Sequence, residues 1–153
     1  FIGVVAAGGT GGAAFGAATL LGIRNAVYGA QINRMLMPRG WLRPLAAQVR
    51  ALADAGVQLC LCTGGTGLGP RDLSPEALQS LGGRPVTGLA QMLRALSAQH
   101  TPTAWLSRAE VVQVGGMLVF ALPGTPRAAA QCLDMLAPLL GHALAMVQGG
   151  PHR

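Results

Sequence analysis

An apolar stretch of strand length at residues 57–62 runs directly into a glycine-rich loop, and this junction restricts the possible folds more than any other feature. From residue 63 the sequence reads TGGTGLGPRDLSPEAL. Ser74, Pro75 and Glu76 form a helix start, with serine as N-cap, proline at the first helical position and an acid in the first turn. A buried strand, a flexible loop and a helix in this order are typical of open α/β sheets, which bind ligands where their strands end.

The loop itself has the composition of an anion-binding site. Glycines let backbone N–H groups approach a ligand without a Cβ in the way, and threonines add hydroxyl groups. Arg71 can neutralise a phosphate, and Asp72 can hold a magnesium ion together with its water ligands. The residues alone therefore predict phosphate binding. The alternative is a glycine-rich connection in which Asp72 caps the next helix.

The remaining pattern alternates helices with short apolar strands, which indicates a layered α/β domain. Apolar residues recur at helical spacing between residues 42 and 53, and Gly56 follows as a helix stop. Thr87 is a candidate cap for a helix that runs to about Ala98. Two strands, at residues 110–114 and 117–122, are predicted to form a hairpin through a two-glycine turn.

The last helix is predicted to begin at Thr125, as the N-cap, and Pro126, as the first helical residue. We expect it to run through about Leu140 and a separate apolar stretch to follow at residues 143–147. His100 precedes the Thr101-Pro102-Thr103 stretch and could approach a site, although a loop or capping role is the stronger expectation. Trp105 is expected to be a packing residue.

Composition limits the classes of partner. The 153 residues suit one domain, of which 51% are apolar and only 10% are charged. All eleven basic residues are arginine, the net charge is +6, and aromatic residues make up 4%. With few aromatics for bases to stack on and no basic run, we expect no nucleic-acid partner. A surface with so little charge is expected to be partly covered by an oligomer or a membrane.

The three cysteines are Cys60, Cys62 and Cys132. An odd number without regular spacing argues against a disulfide framework and favours a reducing compartment. Cys60 and Cys62 lie on one face of a strand and read as a metal or redox pair, or as two small core residues. We favour core residues because no second pair of cysteines or histidines completes a ligand set.

The sequence LCTGGTGLGPRDLSPEAL resembles the signature of the molybdopterin adenylyltransferase family, of the Mog/MoaB type and related to gephyrin. GLAQMLRAL, HTPTAWLSR and ALPGTPRAAAQCLDMLAPLLGHAL follow in the family's order, so the resemblance covers roughly residues 41–149. It implies a three-layer α/β/α fold with a mixed, mostly parallel sheet, here as one domain over residues 1–153. It also implies a cytoplasmic trimer that transfers AMP from Mg-ATP to molybdopterin.

The resemblance also implies roles for individual residues. Asp72 matches the aspartate of the family's PRD motif, which is implicated in catalysis and magnesium binding. The loop would hold the phosphate of the pterin or the nucleotide, and two later segments would line the same pocket. The binding residues assigned in this way are Thr63, Gly64, Gly65, Thr66, Gly67, Pro70, Arg71, Ser107, Arg108, Pro123, Gly124 and Pro126.

The first forty residues depart from the family pattern. Where the family's second strand ends in Pro-Asp, this chain reads Met37-Pro38-Arg39-Gly40, and an arginine cannot replace a metal-coordinating carboxylate. The alternative function is therefore a catalytically inactive molybdopterin-binding or assembly module.

Residues 1–37 contain an uncharged segment, 1–23, that is long enough to span a bilayer. LLGIRNAVYG faintly resembles AzlC-type branched-chain amino-acid exporters, which would make the chain a chimera with a membrane-derived start and allow membrane contact. We favour the alternative, a diverged first βα unit whose strand lies at residues 2–7.

Overall fold

The computed structural model of the protein describes residues 3–7 and 42–150. They form one five-stranded sheet with helices packed on it. The elements in chain order are β1 (Gly3–Ala7), α1 (Leu42–Asp54), β2 (Leu59–Thr63), α2 (Ser74–Gln79), β3 (Arg84–Pro85), α3 (Thr87–Ala98), a 3-10 helix (Pro102–Leu106), β4 (Glu110–Val114), β5 (Met117–Leu122) and α4 (Pro126–Val147).

The strands lie in the order β1-β2-β5-β4-β3, and the sheet is mixed as predicted. Only β2 and β5 run parallel, with Thr63 opposite Leu122. The pairs β1–β2, β4–β5 and β3–β4 are antiparallel, so the expectation of a mostly parallel sheet is wrong for the described strands. Tight turns account for part of this, because the Gly115-Gly116 turn reverses the chain between β4 and β5 and leaves them antiparallel.

Helices cover both faces of the sheet, which confirms the three-layer α/β/α architecture. On one face Leu61 and Phe120 pack with residues of α3 and α4. On the other face Cys60 and Cys62 pack with residues of α1 and α2. Successive side chains of β2 thus enter opposite cores, as the two-residue period of a strand requires. The interpretation of Cys60 and Cys62 as small core residues is confirmed, since both are 0% exposed.

Local turn and cap signals predicted several boundaries correctly. Gly56, after α1, has a φ of +79°, which a residue with a Cβ adopts at a cost. The β4–β5 hairpin has the predicted bounds. The Thr125 side chain accepts a hydrogen bond from the N–H of Ala128 at 3.3 Å, so it is the N-cap of α4.

The last helix is longer than predicted, since α4 continues past Leu140 to Val147 with Pro138 inside it. Proline removes one backbone hydrogen bond from a helix and crowds the preceding turn. Leu136, Leu140 and Leu144 are buried on both sides of Pro138, and their packing keeps the helix continuous. The residues predicted as a separate apolar stretch are the last turns of this helix.

By length and composition, α4 also meets the criterion for a membrane-spanning helix. Seven of its residues are buried in the domain, which is the pattern of an apolar helix packed on a sheet. The strand predicted at residues 2–7 is present as β1. The Met37-Pro38-Arg39-Gly40 segment and the exporter-like LLGIRNAVYG lie outside the described residues.

Candidate functional site

Three separate segments meet at one edge of the sheet. Because β2 and β5 are parallel, the loops that follow Thr63 and Leu122 leave the sheet side by side, and the Gly64 N–H donates to the Leu122 carbonyl at 2.8 Å. Strand β4 runs the other way, so the residues just before it reach the same edge. There the Arg108 N–H donates to the Thr66 carbonyl at 2.8 Å. The structure therefore brings together residues that the resemblance assigned to one pocket.

The start of the glycine loop needs glycine for backbone reasons. Gly64 and Gly65 have φ values of +97° and +66°, a region that residues with a Cβ rarely adopt. Within the described part of the chain, no acceptor takes the N–H groups of Gly65, Thr66 and Gly67. Three consecutive N–H groups without a protein acceptor are a feature of backbone anion sites.

Ser74 connects this loop to α2 in a way that the sequence did not predict. Its hydroxyl donates to the Gly64 carbonyl at 2.6 Å, and its N–H donates to the Gly65 carbonyl at 3.0 Å. The N-cap position belongs to Leu73, and no side chain caps the helix there. The prediction of Ser74 as N-cap is wrong because its hydroxyl is turned toward the loop, where it satisfies a buried carbonyl.

Asp72 forms hydrogen bonds with Gly69 in its own loop. Its Oδ2 accepts a hydrogen bond from the Gly69 N–H at 3.0 Å, and its N–H donates to the Gly69 carbonyl at 2.9 Å. A Cβ on Gly67 would lie 2.6 Å from Oδ2, and one on Gly69 would lie 2.9 Å from it. The carboxylate therefore rests against glycine backbone. The alternative in which Asp72 caps α2 is wrong, since its hydrogen bond goes back into the loop.

Arg108 makes the largest set of polar contacts at the site. Its Nε donates to the Gly67 carbonyl at 2.8 Å, Nη2 donates to the Asp72 carbonyl, and Nη1 pairs with the Glu76 carboxylate. The side chain is 34% exposed. Its guanidinium thus joins the two arms of the loop to the first turn of α2.

Glu76 is the acid of this ion pair. Desolvation raises the pKa of its carboxyl, but the hydrogen bond from Arg108, a backbone hydrogen bond and the charge of Arg108 outweigh that effect and leave the pKa below its ordinary value of 4.5. Its other oxygen, Oε2, is buried without a hydrogen-bond partner in the described chain, as is the Thr63 hydroxyl at the end of β2. Two buried oxygens without hydrogen-bond partners beside the glycine-rich loop are what a polar ligand at this position would satisfy.

A cavity of about 460 Å³ lies between α3, the 3-10 helix and the start of α4, and its lining residues include none from the glycine-rich loop. Ser107 and Pro123, both assigned to the pocket by the resemblance, are among its lining residues. His100 also contributes to the wall. Polar residues that the sequence analysis did not single out as site residues are Arg94, Ser97, Thr101, Thr103, Thr125, Arg127 and Gln131.

Four other predicted residues are not among the residues that line the cavity. Pro70, Arg71 and Pro126 are exposed, and Gly124 is half-buried. Trp105, expected to pack, is 62% exposed on the 3-10 helix. The sequence reasoning missed Glu76 as the partner of Arg108, and only the spacing PRD-x-x-x-E could have signalled it.

A magnesium ion could be accommodated only with the help of a substrate. Within residues 3–7 and 42–150, no group of three acidic, cysteine or histidine side chains converges on a metal position. Asp72 supplies one carboxylate at the mouth of the loop. Since Mg²⁺ is often bound by one or two carboxylates plus water and substrate phosphates, this donor set fits a nucleotide-bound ion.

The family model described as a probable molybdopterin-binding domain matches residues 20–142. The chain belongs to this family. The match covers the loop, the Arg108 segment and the start of α4, so the three converging segments all lie within the molybdopterin-binding domain.

Individual relatives agree with this assignment. The chain is 45% identical over 108 residues to the molybdenum cofactor biosynthesis bifunctional protein of Synechococcus elongatus, covering 71% of the chain and 34% of that protein. It is 32% identical over 91 residues to the molybdopterin adenylyltransferase of Helicobacter pylori, covering 60% of the chain and 52% of that protein. The chain thus spans about a third to a half of the length of these relatives.

The crystal structure of the molybdopterin biosynthesis enzyme MoaB from Thermus thermophilus is similar to this fold. The TM-score is 0.66 at 41% sequence identity, with 73% of this chain and 71% of that chain covered. The predicted family and the predicted α/β fold are both confirmed.

Proposed function

We propose that this domain binds molybdopterin and joins it to AMP from Mg-ATP, as a step of molybdenum cofactor biosynthesis. Family membership supports molybdopterin binding. The name of the Helicobacter pylori relative supports adenylyl transfer. The single observation that carries the proposal is the loop: three consecutive N–H groups without an acceptor among the described residues lie next to a carboxylate held against glycine backbone.

In this reaction an oxygen of molybdopterin attacks the α-phosphorus of ATP, and pyrophosphate leaves. The protein needs no nucleophile of its own; it orients the two substrates and stabilises charge on the phosphate oxygens. We propose that the N–H groups of Gly65, Thr66 and Gly67 bind a phosphate. We propose that the cavity lined by Ser107 and Pro123 takes the second substrate. Arg71 is exposed on the loop and adds positive charge.

Asp72 is proposed as the magnesium-binding and catalytic carboxylate. Its backbone N–H and carbonyl bond Gly69 and Arg108, and its carboxylate accepts a hydrogen bond from the Gly69 N–H. When bound, the magnesium ion would neutralise phosphate charge and orient the triphosphate. The chain's own contribution is to hold one carboxylate at that position.

Asp72→Asn tests this role, because asparagine is nearly isosteric with aspartate and removes only the charge. We expect AMP transfer to fall by about 10²-fold or more, a common result of losing a key electrostatic group. Molybdopterin binding, measured by isothermal titration, should change much less. Asp54→Asn is the matched control, since Asp54 is exposed at the end of α1. Unchanged turnover in Asp72→Asn would contradict the assignment.

A second candidate function is a molybdopterin-binding module without catalysis. It is supported by Arg39, which stands where the family's second aspartate is expected. Titration with molybdopterin and with Mg-ATP, together with an assay of AMP transfer, separates the two functions. Molybdopterin binding without AMP transfer favours the module, and no binding of either ligand at high micromolar concentration contradicts both.

We further propose a homotrimer in the cytoplasm, as the resemblance implies. Light scattering of the purified chain tests the trimer, and a monomer at micromolar concentration would contradict it. Fractionation with and without residues 1–37 tests membrane contact through that segment. Equal solubility of the two forms would exclude such contact.

A further inference from the structure

The contacts of Arg108 lead to the glycine loop and to the first turn of α2. Its main-chain N–H bonds Thr66, while its guanidinium bonds the carbonyls of Gly67 and Asp72 and the carboxylate of Glu76. A guanidinium carries five N–H donors in a fixed planar fork. In Arg108 all three nitrogens of that fork are engaged with protein acceptors. Three of the five N–H groups are thus committed to the loop and to α2.

We propose that Arg108 is a positioning residue, held by its ion pair with Glu76, that fixes Asp72 for the reaction without contacting the substrates. This inference rests on the proposed function and gives Arg108 a different role from the ligand contact that the resemblance implied.

Arg108 joins two separate parts of the loop. Gly67 and Asp72 lie on the two arms of the loop, and the Asp72 carboxylate rests against Gly67. The other hydrogen bonds that hold Asp72 connect it to Gly69 within the same exposed turn. Arg108 stands just before β4, so its bonds are the ones that connect Asp72 to the sheet. Without them, the segment from Gly67 to Asp72 loses its side-chain link to the sheet, while the bonds of Gly64, Gly65 and Thr66 still hold the ends of the loop.

The chemistry of arginine suits this function. Its charge persists at every pH at which the protein is folded, and its planar fork reaches several carbonyls at once. Lysine is a compact charge on a flexible stem and cannot span the same acceptors. Glu76 balances the charge and orients the fork from the first turn of α2.

The first test does not require enzymatic activity. In Arg108→Gln we expect hydrogen exchange of the Gly69 N–H, which bonds Asp72, to accelerate about tenfold or more, while the N–H of Phe120 in the core strand stays protected. Arg50→Gln is the matched control, because Arg50 donates to the Leu81 carbonyl at 2.8 Å in another part of the domain. Exchange at Gly69 within twofold of the wild type would overturn the proposal.

The second test uses kinetics. We expect kcat of Arg108→Gln to fall at least about tenfold while KM for ATP and the Kd for molybdopterin stay within about threefold, because a positioning residue acts through Asp72. Arg108→Lys should remain closer to Arg108→Gln than to the wild type. A large loss of ligand affinity with unchanged kcat would instead show direct contact and overturn the proposal.

Glu76→Gln keeps the proposal testable if Arg108→Gln does not fold. It removes one partner of Arg108, on a side chain that is 39% exposed, and should shift exchange at Gly69 and kcat in the same direction by a smaller factor. The double variant should be no worse than Arg108→Gln alone, since both changes break one unit. An inactive wild-type protein would overturn the proposed function, and the exchange experiment would still decide whether Arg108 holds Asp72.

Discussion

The hydroxyl of Ser74 donates a 2.6 Å hydrogen bond to the carbonyl oxygen of Gly64, and this bond joins the start of α2 to the end of β2. Ser74 is 0% exposed, so water cannot replace the bond. The two residues are ten positions apart, and the glycine-rich loop lies between them. Its two ends are therefore fixed to each other, which limits the conformations of the residues in between.

Ser74→Ala should lower the free energy of unfolding by about 1–3 kcal/mol, because it leaves the buried Gly64 carbonyl without its donor. The change in the free energy of unfolding is measured by urea denaturation, with circular dichroism as the signal. Ser80→Ala is the control: Ser80 bonds the Ala77 carbonyl at 2.7 Å near the surface, and its loss should cost about 0.5 kcal/mol or less. Equal losses in the two variants would contradict the role given to Ser74.

Gly67→Ala should disturb Asp72 more than it disturbs the fold. The new Cβ would lie 2.6 Å from Asp72 Oδ2, so the carboxylate has to move. The side chain can move without displacing the core. We expect AMP transfer to fall by up to about 10²-fold, the scale of a displaced catalytic group.

Gly88→Ala is the control for this glycine variant. A Cβ there meets nothing within 4 Å, so turnover should be unchanged and the free energy of unfolding should change by about 1 kcal/mol or less. Full activity of Gly67→Ala would show that the close approach of Asp72 to Gly67 is not needed for turnover.

The Glu76–Arg108 pair predicts how stability depends on pH. The pKa of Glu76 is lower in the folded protein than its ordinary value of 4.5, so the pair stabilises the fold above that pH. This contribution is lost as the pH falls through the lower, folded pKa. Because water reaches the pair, we expect about 0.2–1 kcal/mol.

The comparison with Glu76→Gln isolates this contribution. Between neutral pH and about pH 3, the free energy of unfolding of the wild type should fall more steeply than that of the variant, as measured by urea titrations at each pH. Parallel curves would mean that the ion pair does not stabilise the folded state.

The three cysteines should be unreactive in the native protein. Burial raises the pKa of Cys132 to about 11, against a smaller opposite effect of its hydrogen bond with Ser97. The hydrogen bond with Cys60 and burial raise the pKa of Cys62 well above its ordinary value. Iodoacetamide near pH 8 should therefore label the folded protein very slowly, since the thiolate is the reactive form.

Mass spectrometry after iodoacetamide treatment checks this prediction, with the protein in concentrated guanidinium chloride as the control. There all three thiols should react. Stoichiometric labelling of the folded protein within minutes would show that a thiol is accessible, and Cys132 on the cavity wall would be the first to examine.

Local chemistry determined many of the elements. The β4–β5 turn follows from two glycines between apolar strands, and the start of α4 follows from a threonine cap before a proline. The end of α1 follows from Gly56, whose positive φ favours glycine. These signals are readable from the sequence because the atoms that cause them lie within a few residues of each other. The TGGTG loop and the PRD aspartate were readable for the same reason.

The tertiary structure decided the features that depend on distant partners. Ser74 bonds Gly64 instead of capping its helix, because the buried carbonyl lies across the loop. Pro138 stays inside α4 because leucines on both sides of it pack on the sheet. Arg108 binds the loop because parallel β2 and β5, with antiparallel β4, bring residues 36 positions apart to one edge. Hydrogen bonding and burial act through space, and only the folded chain sets which groups are close enough to satisfy each other.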